Sequence, residues 1–248
     1  MIDGTITIVG AGSRLAYALI PALLQETDAR LHLVSSAPTV HGGDRILTTV
    51  LDVTDKAALK SAVMAAMPRV IINCAAFTNV DACETDRQKA WAINVTLPET
   101  LTRLARILEA HIVHVSTDYV FDGTKGPYVE SALPQPINYY GKSKLAGENV
   151  CLSGNTSATI VRTNVLYGFN PYRPDFVRWV LDALESKTPI RVVNDQYSNP
   201  TLVDDLADAI TRIVLRRRTG LYHVGGADYL DRYAFAVRID EFFKEDSS

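Results

Sequence analysis

Short apolar runs alternate along this chain with longer stretches in which apolar residues recur every three or four positions. The first pattern is typical of buried strands and the second of helices that cover a sheet. Their alternation favours βαβ units, and therefore an α/β fold built on a doubly wound parallel sheet. We predict strands at residues 5–9, 31–34, 46–51, 70–73, 112–116, 159–162, 190–193 and 221–224, and helices at 15–25, 56–67, 84–94, 98–109, 142–151, 175–186, 204–216 and from 233 onward.

A loop with two glycines joins the first predicted strand to its helix. Glycines let a backbone approach a phosphate closely, and the start of a helix supplies free N–H groups. The spacing departs from the usual dinucleotide fingerprint, because Ser13 and Ala16 stand where further glycines are common, so a simple tight turn is the alternative. With a strand before it and a helix after it, the loop predicts a Rossmann-type site for a dinucleotide pyrophosphate at Gly10, Gly12, Ser13, Arg14 and Leu15.

Two further strand ends bear on the same cofactor. Asp52 and Val53 follow the third strand, where a carboxylate would reach an adenine amino group. A helix N-cap in the next two residues is the alternative, and both can hold together. Ala75 and Ala76, after the fourth strand, are small enough for a cofactor to lie against their backbone.

The second predicted strand ends at Ser35 and Ser36. An acidic residue there would favour NAD through the ribose 2′-hydroxyl. Arg14 could instead pair with a 2′-phosphate. The sequence therefore favours NADP(H), with NAD(H) as the alternative.

Tyr140 and Lys144 stand four positions apart in a predicted helical run, which places the phenol and the ammonium on one face. A free phenol has a pKa near ~10. A nearby cation would lower that pKa towards the range of a general acid or base. Ser116 and Thr117 end a strand at the sheet edge where α/β proteins bind ligands. A surface helix is the alternative for Tyr-x-x-x-Lys alone, but beside this strand end and the glycine loop a catalytic pair is favoured.

Composition narrows the class of protein. The chain has 248 residues, 47% hydrophobic and 21% charged, which suits one large globular α/β domain with a small appendage. A net charge of −3 argues against nucleic acid as the main partner. No apolar stretch reaches ~18 residues, and the start of the chain runs directly into a strand, so we expect no membrane span and a cytoplasmic location.

Cysteines and histidines give no ligand pattern. Cys74, Cys83 and Cys151 lack metal or redox spacing, which fits reduced thiols. His111 and His114 fall on opposite faces of a strand, where packing is the favoured role. We expect no metal site.

Together these motifs resemble the extended short-chain dehydrogenase/reductase superfamily, and within it the dTDP-4-dehydrorhamnose reductase-like family. The likeness covers nearly the whole chain. Four segments carry it, namely residues 73–81, 116–123, 140–144 and 195–201, the last of which reads Asp-Gln-Tyr-Ser-Asn-Pro-Thr.

The resemblance implies a catalytic set of Thr117, Tyr140 and Lys144. In the implied reaction a reduced nicotinamide delivers hydride to a ketone carbon, Tyr140 donates a proton to the oxygen, and Thr117 hydrogen-bonds that oxygen. Lys144 would lower the phenol pKa and hold the nicotinamide ribose. Asn94 matches an asparagine that supports the active site from a neighbouring helix, and we count it with the cofactor-binding residues.

The resemblance also implies a nucleotide-linked 4-keto-6-deoxy sugar as substrate. We expect it in the crevice between the sheet edge, near Thr78 and Val80, and the back of the chain, near Asn164 and Arg173. The Arg173 guanidinium could pair with a diphosphate through its forked donors, and a solvated loop charge is the alternative.

Two departures from the family bear on these expectations. Asn164 stands where sugar-nucleotide reductases of the family often carry a tryptophan, so the sugar itself is left open. Family members usually continue beyond the position of Ser248, so we expect part of the substrate lobe to be absent from this sequence or shortened. We predict a dinucleotide-binding domain over residues 1–165 and mainly a substrate-binding lobe over residues 166–248, with segments that return to the sheet.

A second function belongs to a different class. The regulatory β-subunit of methionine adenosyltransferase resembles the same family and keeps similar motifs, yet serves as a cofactor-binding partner of another enzyme. A non-catalytic NADP-binding subunit is therefore the alternative to a reductase. For the reductase we expect a small-molecule substrate, with a homodimer left open.

Overall fold

A computed structural model describes residues 3–170 and 174–245 of the chain. Its strands carry most of the apolar runs that the sequence predicts to be buried. They are β1 Thr5–Val9, β2 Arg30–Ser35, β3 Ile46–Val50, β4 Pro68–Asn73, β5 His111–Thr117, β6 Ala158–Thr163, β7 Leu166–Tyr167, β8 Tyr197–Ser198, β9 Thr201–Leu202, β10 Gly220–His223 and β11 Leu230–Asp231.

The α-helices follow the amphipathic stretches. They are α1 Arg14–Glu26, α2 Lys56–Ala66, α3 Val80–Thr85, α4 Arg87–Trp91, α5 Leu97–Ile107, α6 Tyr139–Leu152, α7 Phe176–Glu185, α8 Val203–Leu215 and α9 Arg232–Glu245. A π-helical turn, Ala92–Thr96, joins α4 to α5, and a 3-10 turn, Asp118–Val120, follows β5.

A seven-stranded parallel sheet forms the centre, in the order β10-β6-β5-β4-β1-β2-β3. The chain runs outward from β1 to β3 and then crosses to β4 on the other side of β1. The strand order therefore reverses between β1 and β4, and in open α/β sheets ligands bind in the crevice at the carboxyl ends beside such a switch point. This confirms the predicted doubly wound Rossmann-type α/β fold.

Helices cover both faces of this sheet. On one face α1 and α8 pack together over apolar side chains that include Ile8, Leu19 and Ile210. On the other face α2, α5 and α6 cover a second cluster that includes Ile71 and Leu101. The two cores hold the strands from both sides, so the carboxyl edge has a rigid support.

The back of the chain forms a separate small core. Val180 of α7 packs with Phe235 and Ile239 of α9, and the rings of Phe176 and Phe235 stack at 5.4 Å. In between, α8 and β10 return to the main sheet, where β10 pairs with β6. The back of the chain is thus tied to the main sheet through α8 and β10, which lie between α7 and α9 along the chain.

One predicted strand and one predicted helix are wrong. Residues 190–193 pair with no strand among the described residues. Their alternation reflects half-buried Ile190 and Val192 along a loop, while the short strand pairing forms further on, between β8 and β11. The single helix predicted over residues 84–94 is instead the end of α3, all of α4 and part of the π-helical turn. The Asn79 side chain caps α3 by accepting a hydrogen bond from Ala82 N.

A buried ion pair joins α6 to the sheet. Glu148 Oε2 lies 2.6 Å from Arg162 Nη2, and Ser116 Oγ donates to the same carboxylate at 2.5 Å. Both charged side chains are at most 5% exposed. Each buried charge therefore depends on the other for compensation.

We expect Glu148→Ala to lower the free energy of unfolding by about 3–5 kcal/mol, because it leaves the Arg162 guanidinium buried without its partner. Denaturant unfolding measures this. The matched control is Glu99→Ala, which removes an exposed pair with Arg103 and should cost less than about 1 kcal/mol. Equal losses in the two variants would contradict the assignment of a buried, dependent pair.

Candidate active site

The start of α6 positions the predicted catalytic pair. Asn138 caps the helix by accepting a hydrogen bond from Gly141 N at 2.8 Å. Tyr140 and Lys144 then fall one turn apart, and both are buried, at 8% and 1% exposure. The surface-helix alternative does not fit this burial.

Two glycines let α6 lie unusually close to its neighbours. A side chain at Gly141 would overlap the backbone carbonyl of Tyr119, and one at Gly147 would overlap the carbonyl of Asn94. The helix backbone therefore contacts both the 3-10 turn after β5 and the π-helical turn. This close approach brings Tyr140 to the sheet edge that carries Thr117.

Thr117, Asp118 and Tyr140 form one cluster at that edge. Thr117 Oγ1 donates to Asp118 Oδ1 at 3.1 Å and accepts from Tyr119 N at 3.2 Å, and the nearby Thr117 hydroxyl acts to lower the pKa of Tyr140. Burial raises the pKa of Tyr140 well above its ordinary value, and the Thr117 hydroxyl only partly offsets this. Burial likewise raises the pKa of Asp118. The phenol is therefore protonated at neutral pH and carries a proton that it can donate.

Lys144 does not act on the phenol in the way the sequence predicts. Its Nζ donates to the Val115 carbonyl at 2.6 Å and lies 3.4 Å from His114 Nε2. Burial lowers the Lys144 pKa to about 8, although Glu148 opposes this. The expected lowering of the Tyr140 pKa is wrong for this structure, because desolvation of the phenol outweighs the opposing effect of Thr117.

Asn94 joins the active-site helix to the loop after β4. Its Oδ1 accepts from Phe77 N at 2.8 Å, and its Nδ2 donates to Phe77 O at 3.1 Å and to Ser143 Oγ at 2.9 Å. The side chain is 1% exposed. These bonds hold the segment near Ala76 against α6. All three bonds go to protein groups, so a cofactor-binding role for Asn94 stays a prediction.

The glycine loop is shaped by its neighbours. Gly10 has φ of +83°, and a Cβ there would lie 2.6 Å from Ala75 N, so only glycine fits. A Cβ on Gly12 would meet no protein atom within 4 Å. Ser13 caps α1 by accepting from Ala16 N. The loop thus presents an open backbone surface at the helix N-terminus, a surface that fits a pyrophosphate.

Leu15 and Ala76 lie beside this surface in different ways. The Leu15 side chain is buried in the core, so only its backbone N–H in the first helical turn can face a ligand. Ala75 and Ala76 are half-buried after β4. Val53 is half-buried against the apolar cluster that contains Ala75.

Arg14 and Asp52 have partners that the sequence does not reveal. Arg14 Nη1 lies 3.0 Å from Asp175 Oδ2 and donates to Gly168 O at 2.7 Å. It therefore ties the glycine loop to the back lobe, which removes it as evidence for a 2′-phosphate. Asp52 is exposed and accepts from Thr54 N and Oγ1, which lowers its pKa, and the cap of α2 is Asp55.

The predicted substrate residues lie around the crevice. Thr78 is exposed after β4, and Val80 packs near Tyr140 at the start of α3. The Asn164 amide lies 3.1 Å from Thr201 Oγ1 and also hydrogen-bonds Asp118. Asn164 thus links the sheet edge to the segment around β9. Arg173 lies outside the described residues.

Sequence reasoning missed three polar residues under the site. Asp118 contacts Thr117, and Asn73 bonds His114, which in turn faces Lys144. The packing role predicted for His114 is thus incomplete. The available signal was the strand register, since Asn73 and His114 are direct partners across β4 and β5.

Among residues 3–170 and 174–245, no group of three or more His, Cys, Asp or Glu side chains could hold a metal ion. Over the same part of the chain, none of the helices is both long and apolar enough to cross a bilayer.

The chain is similar in sequence to known proteins. A family model described as RmlD substrate binding domain matches residues 4–248. The spore coat polysaccharide biosynthesis protein SpsK of Bacillus subtilis is 37% identical over 195 residues, which cover 77% of this chain and 67% of that protein. Methionine adenosyltransferase 2 subunit beta of Xenopus laevis is 34% identical over 205 residues, 80% of this chain and 61% of that subunit. The chain thus spans about two thirds of the length of these relatives.

The fold is also similar to that of a solved structure. The dTDP-4-dehydrorhamnose reductase of Bacillus anthracis, in complex with NADP, superimposes with a TM-score of 0.83 at 31% identity, covering 98% of this chain and 82% of that one. The fold is the Rossmann-type α/β fold of dTDP-4-dehydrorhamnose reductase structures. The chain belongs to the dTDP-4-dehydrorhamnose reductase-like family, whose model it matches over nearly its whole length.

We expect Asn94→Leu to lower the free energy of unfolding by about 2–4 kcal/mol, because it leaves the part-buried Phe77 N–H without a partner and the Phe77 carbonyl with only the weak Cys83 thiol donor. Thermal or denaturant unfolding measures this. Asn149→Leu, at an exposed position of α6, is the control and should stay within about 0.5 kcal/mol. A similar small change for Asn94→Leu would show that the clamp contributes little.

Proposed function

We propose that the chain is an NADP(H)-dependent reductase of a nucleotide-linked 4-keto-6-deoxy sugar, with Tyr140 as the proton donor. The observation that carries this proposal is the convergence of Tyr140 and Thr117 at the carboxyl edge, close to the strand-order reversal. Ligands in this fold bind at that edge. A ketone held there would have both hydroxyl groups within reach.

The chain's residues suit a dinucleotide. Gly10 and Gly12 shape an open backbone surface at the start of α1, and the small Ala75 and Ala76 follow on the next strand. A reduced nicotinamide, when bound, would supply the hydride that reduces the ketone carbon. NADP rather than NAD is supported by the complex of the Bacillus anthracis relative with NADP. With Arg14 engaged by Asp175, this chain's own preference rests on other groups.

In this proposal Tyr140 and Thr117 have different roles at the reacting oxygen. As the carbonyl oxygen gains negative charge, the Thr117 hydroxyl and the phenol donate hydrogen bonds to it, and these strengthen in the transition state. The phenol then gives its proton to that oxygen, which becomes the hydroxyl of the product. Because burial keeps Tyr140 protonated, the donor form is present throughout the neutral range.

A cavity beside the crevice supports a nucleotide-linked substrate. It has a volume of about 690 Å³ and lies between the end of β6 and the back lobe. Arg191 and Arg232 bring guanidinium groups, which suit a diphosphate, and Trp179 brings an exposed ring on which a base can stack. Nucleotide recognition by charge and stacking is consistent with this lining.

A regulatory role is the second candidate, because methionine adenosyltransferase 2 subunit beta is 34% identical over most of this chain. In that case the dinucleotide site would be kept while turnover would be absent. The catalytic variants below separate the two functions.

We expect Tyr140→Phe to lower single-turnover hydride transfer by on the order of ~100-fold, the usual range for losing a positioned acid. The ring and its packing remain, so dinucleotide affinity should barely change. The assay mixes enzyme and NADPH with a panel of nucleotide-linked 4-keto sugars. Tyr139→Phe, one residue away, is the control and should transfer hydride at the wild-type rate. Wild-type transfer by Tyr140→Phe would sink the proposed mechanism.

A pair of glycine variants tests the dinucleotide site. We expect Gly12→Ala to change the free energy of unfolding by less than about 0.5 kcal/mol, because its Cβ meets no protein atom. NADPH affinity should nevertheless fall at least ~10-fold, or about 1.4 kcal/mol, since the methyl group projects towards the pyrophosphate. Gly10→Ala should lower both stability and affinity. Fluorescence titration and denaturant unfolding measure the two quantities, and unchanged NADPH affinity in Gly12→Ala would remove the loop from the site.

A further inference from the structure

A chain of buried polar groups leads from the loop after β4 to Lys144. Asn73 Oδ1 accepts from Ala75 N at 3.2 Å, so its Nδ2 faces His114 Nδ1, at 3.0 Å. His114 Nε2 faces Lys144 Nζ at 3.4 Å, and Nζ donates to the Val115 carbonyl. Asn73, His114 and Lys144 are each at most 1% exposed, so water cannot replace these partners.

The hydrogen-bond roles along this chain are constrained. Because Asn73 Nδ2 is a donor, His114 Nδ1 must accept, and a neutral imidazole then carries its proton on Nε2. That N–H points at Lys144 Nζ. If Lys144 is an ammonium, the two groups are both donors. If Lys144 is a neutral amine, its lone pair accepts from His114, and every group in the chain is satisfied.

The opposite tautomer does not remove the conflict. With the proton on Nδ1, the His114 ring would accept from an ammonium at Nε2 but would face the Asn73 amide with two donors. Turning the Asn73 amide over would instead set its NH₂ against Ala75 N–H. A charged Lys144 therefore leaves one donor–donor contact in every arrangement, and each such contact inside a protein is costly.

We propose that His114 is a positioning residue, held by Asn73 as the Nε2–H tautomer, that orients Lys144 and favours its neutral amine. Such a lysine exchanges a proton readily on the turn of α6 that follows Tyr140. Its value for catalysis rests on the proposed reductase function. The tautomer and the titration of Lys144 do not depend on turnover.

The other titratable groups around Lys144 do not replace the effect of His114. Glu148 favours the ammonium, but Arg162 and Ser116 already engage its carboxylate. Burial raises the pKa of Cys74 to about 12 and of Cys151 to about 11, so both thiols are neutral near pH 7. Burial also keeps the pKa of His114 well below its ordinary value, which fits a neutral ring.

The first test reads the tautomer directly in the wild-type protein. In ¹⁵N-labelled protein, the two ring nitrogens of His114 have different chemical shifts when one is protonated and the other accepts, and His114→Gln identifies the signals. We expect a protonated Nε2 and an accepting Nδ1 at pH 7. A protonated Nδ1 would overturn the proposal. The tautomer is read in the wild-type protein, and the His114→Gln variant serves only to assign the signals.

The second test follows the titration of Lys144 by its ¹³Cε signal in lysine-labelled protein. We expect His114→Gln to raise the midpoint by about one pH unit, because an amide oxygen can accept from the ammonium where the imidazole N–H cannot. Lys142, exposed on the same helix, is the internal control and should not shift. An unchanged or lower Lys144 midpoint would contradict the tautomer's influence. If the tautomer and the Lys144 midpoint behave as expected but no hydride is transferred, the result counts against the proposed function and not against the role of His114.

Discussion

The close approach of α6 to the sheet edge is the constraint on which the active site depends. Gly141 and Gly147 let the helix backbone lie against the carbonyls of Tyr119 and Asn94. No side chain larger than hydrogen fits at these contacts, so the helix has little freedom to move. The same approach desolvates Tyr140 and Lys144, and desolvation dominates the pKa of both groups. Packing and chemistry therefore have one origin.

Burial also explains why polar groups around the helix form networks. A charge or amide placed beneath α6 has no water, so it must be satisfied by protein. Glu148 pairs with Arg162, and Asn94 hydrogen-bonds the Phe77 backbone and Ser143. These bonds join α6 to β6 and to the loop after β4, so they connect the helix that carries Tyr140 and Lys144 to the loop beside the candidate dinucleotide surface.

Much of the fold follows from local pattern. The strand β1 has the predicted bounds, and the buried runs of β4, β5 and β6 are strong because both faces of a parallel sheet are covered. Local pattern is misleading over residues 190–193, where half-buried apolar residues line a loop. Two-residue strands such as β7 leave no periodic signal at all.

The candidate site is likewise only partly predictable from the sequence. Tyr140 and Lys144 are linked by helical spacing, and the sequence predicts their shared face. The partners of Lys144 and Arg14 come from elements far away in the chain, such as Val115 on β5 and Asp175 before α7, and no spacing rule predicts them. For that reason the sequence predicts the shared face of Tyr140 and Lys144 but assigns the wrong sign to the shift of the Tyr140 pKa.

The central claim is that this chain itself moves hydride from a nicotinamide to a sugar carbon. The direct measurement is mass spectrometry of the sugar after incubation with NADPH that carries deuterium at the transferable position of the nicotinamide ring. We expect one nucleotide-linked 4-keto-6-deoxy sugar to gain a single deuterium at the reduced carbon. Tight NADPH binding with no deuterium in any sugar of the panel would contradict it and would favour the regulatory role.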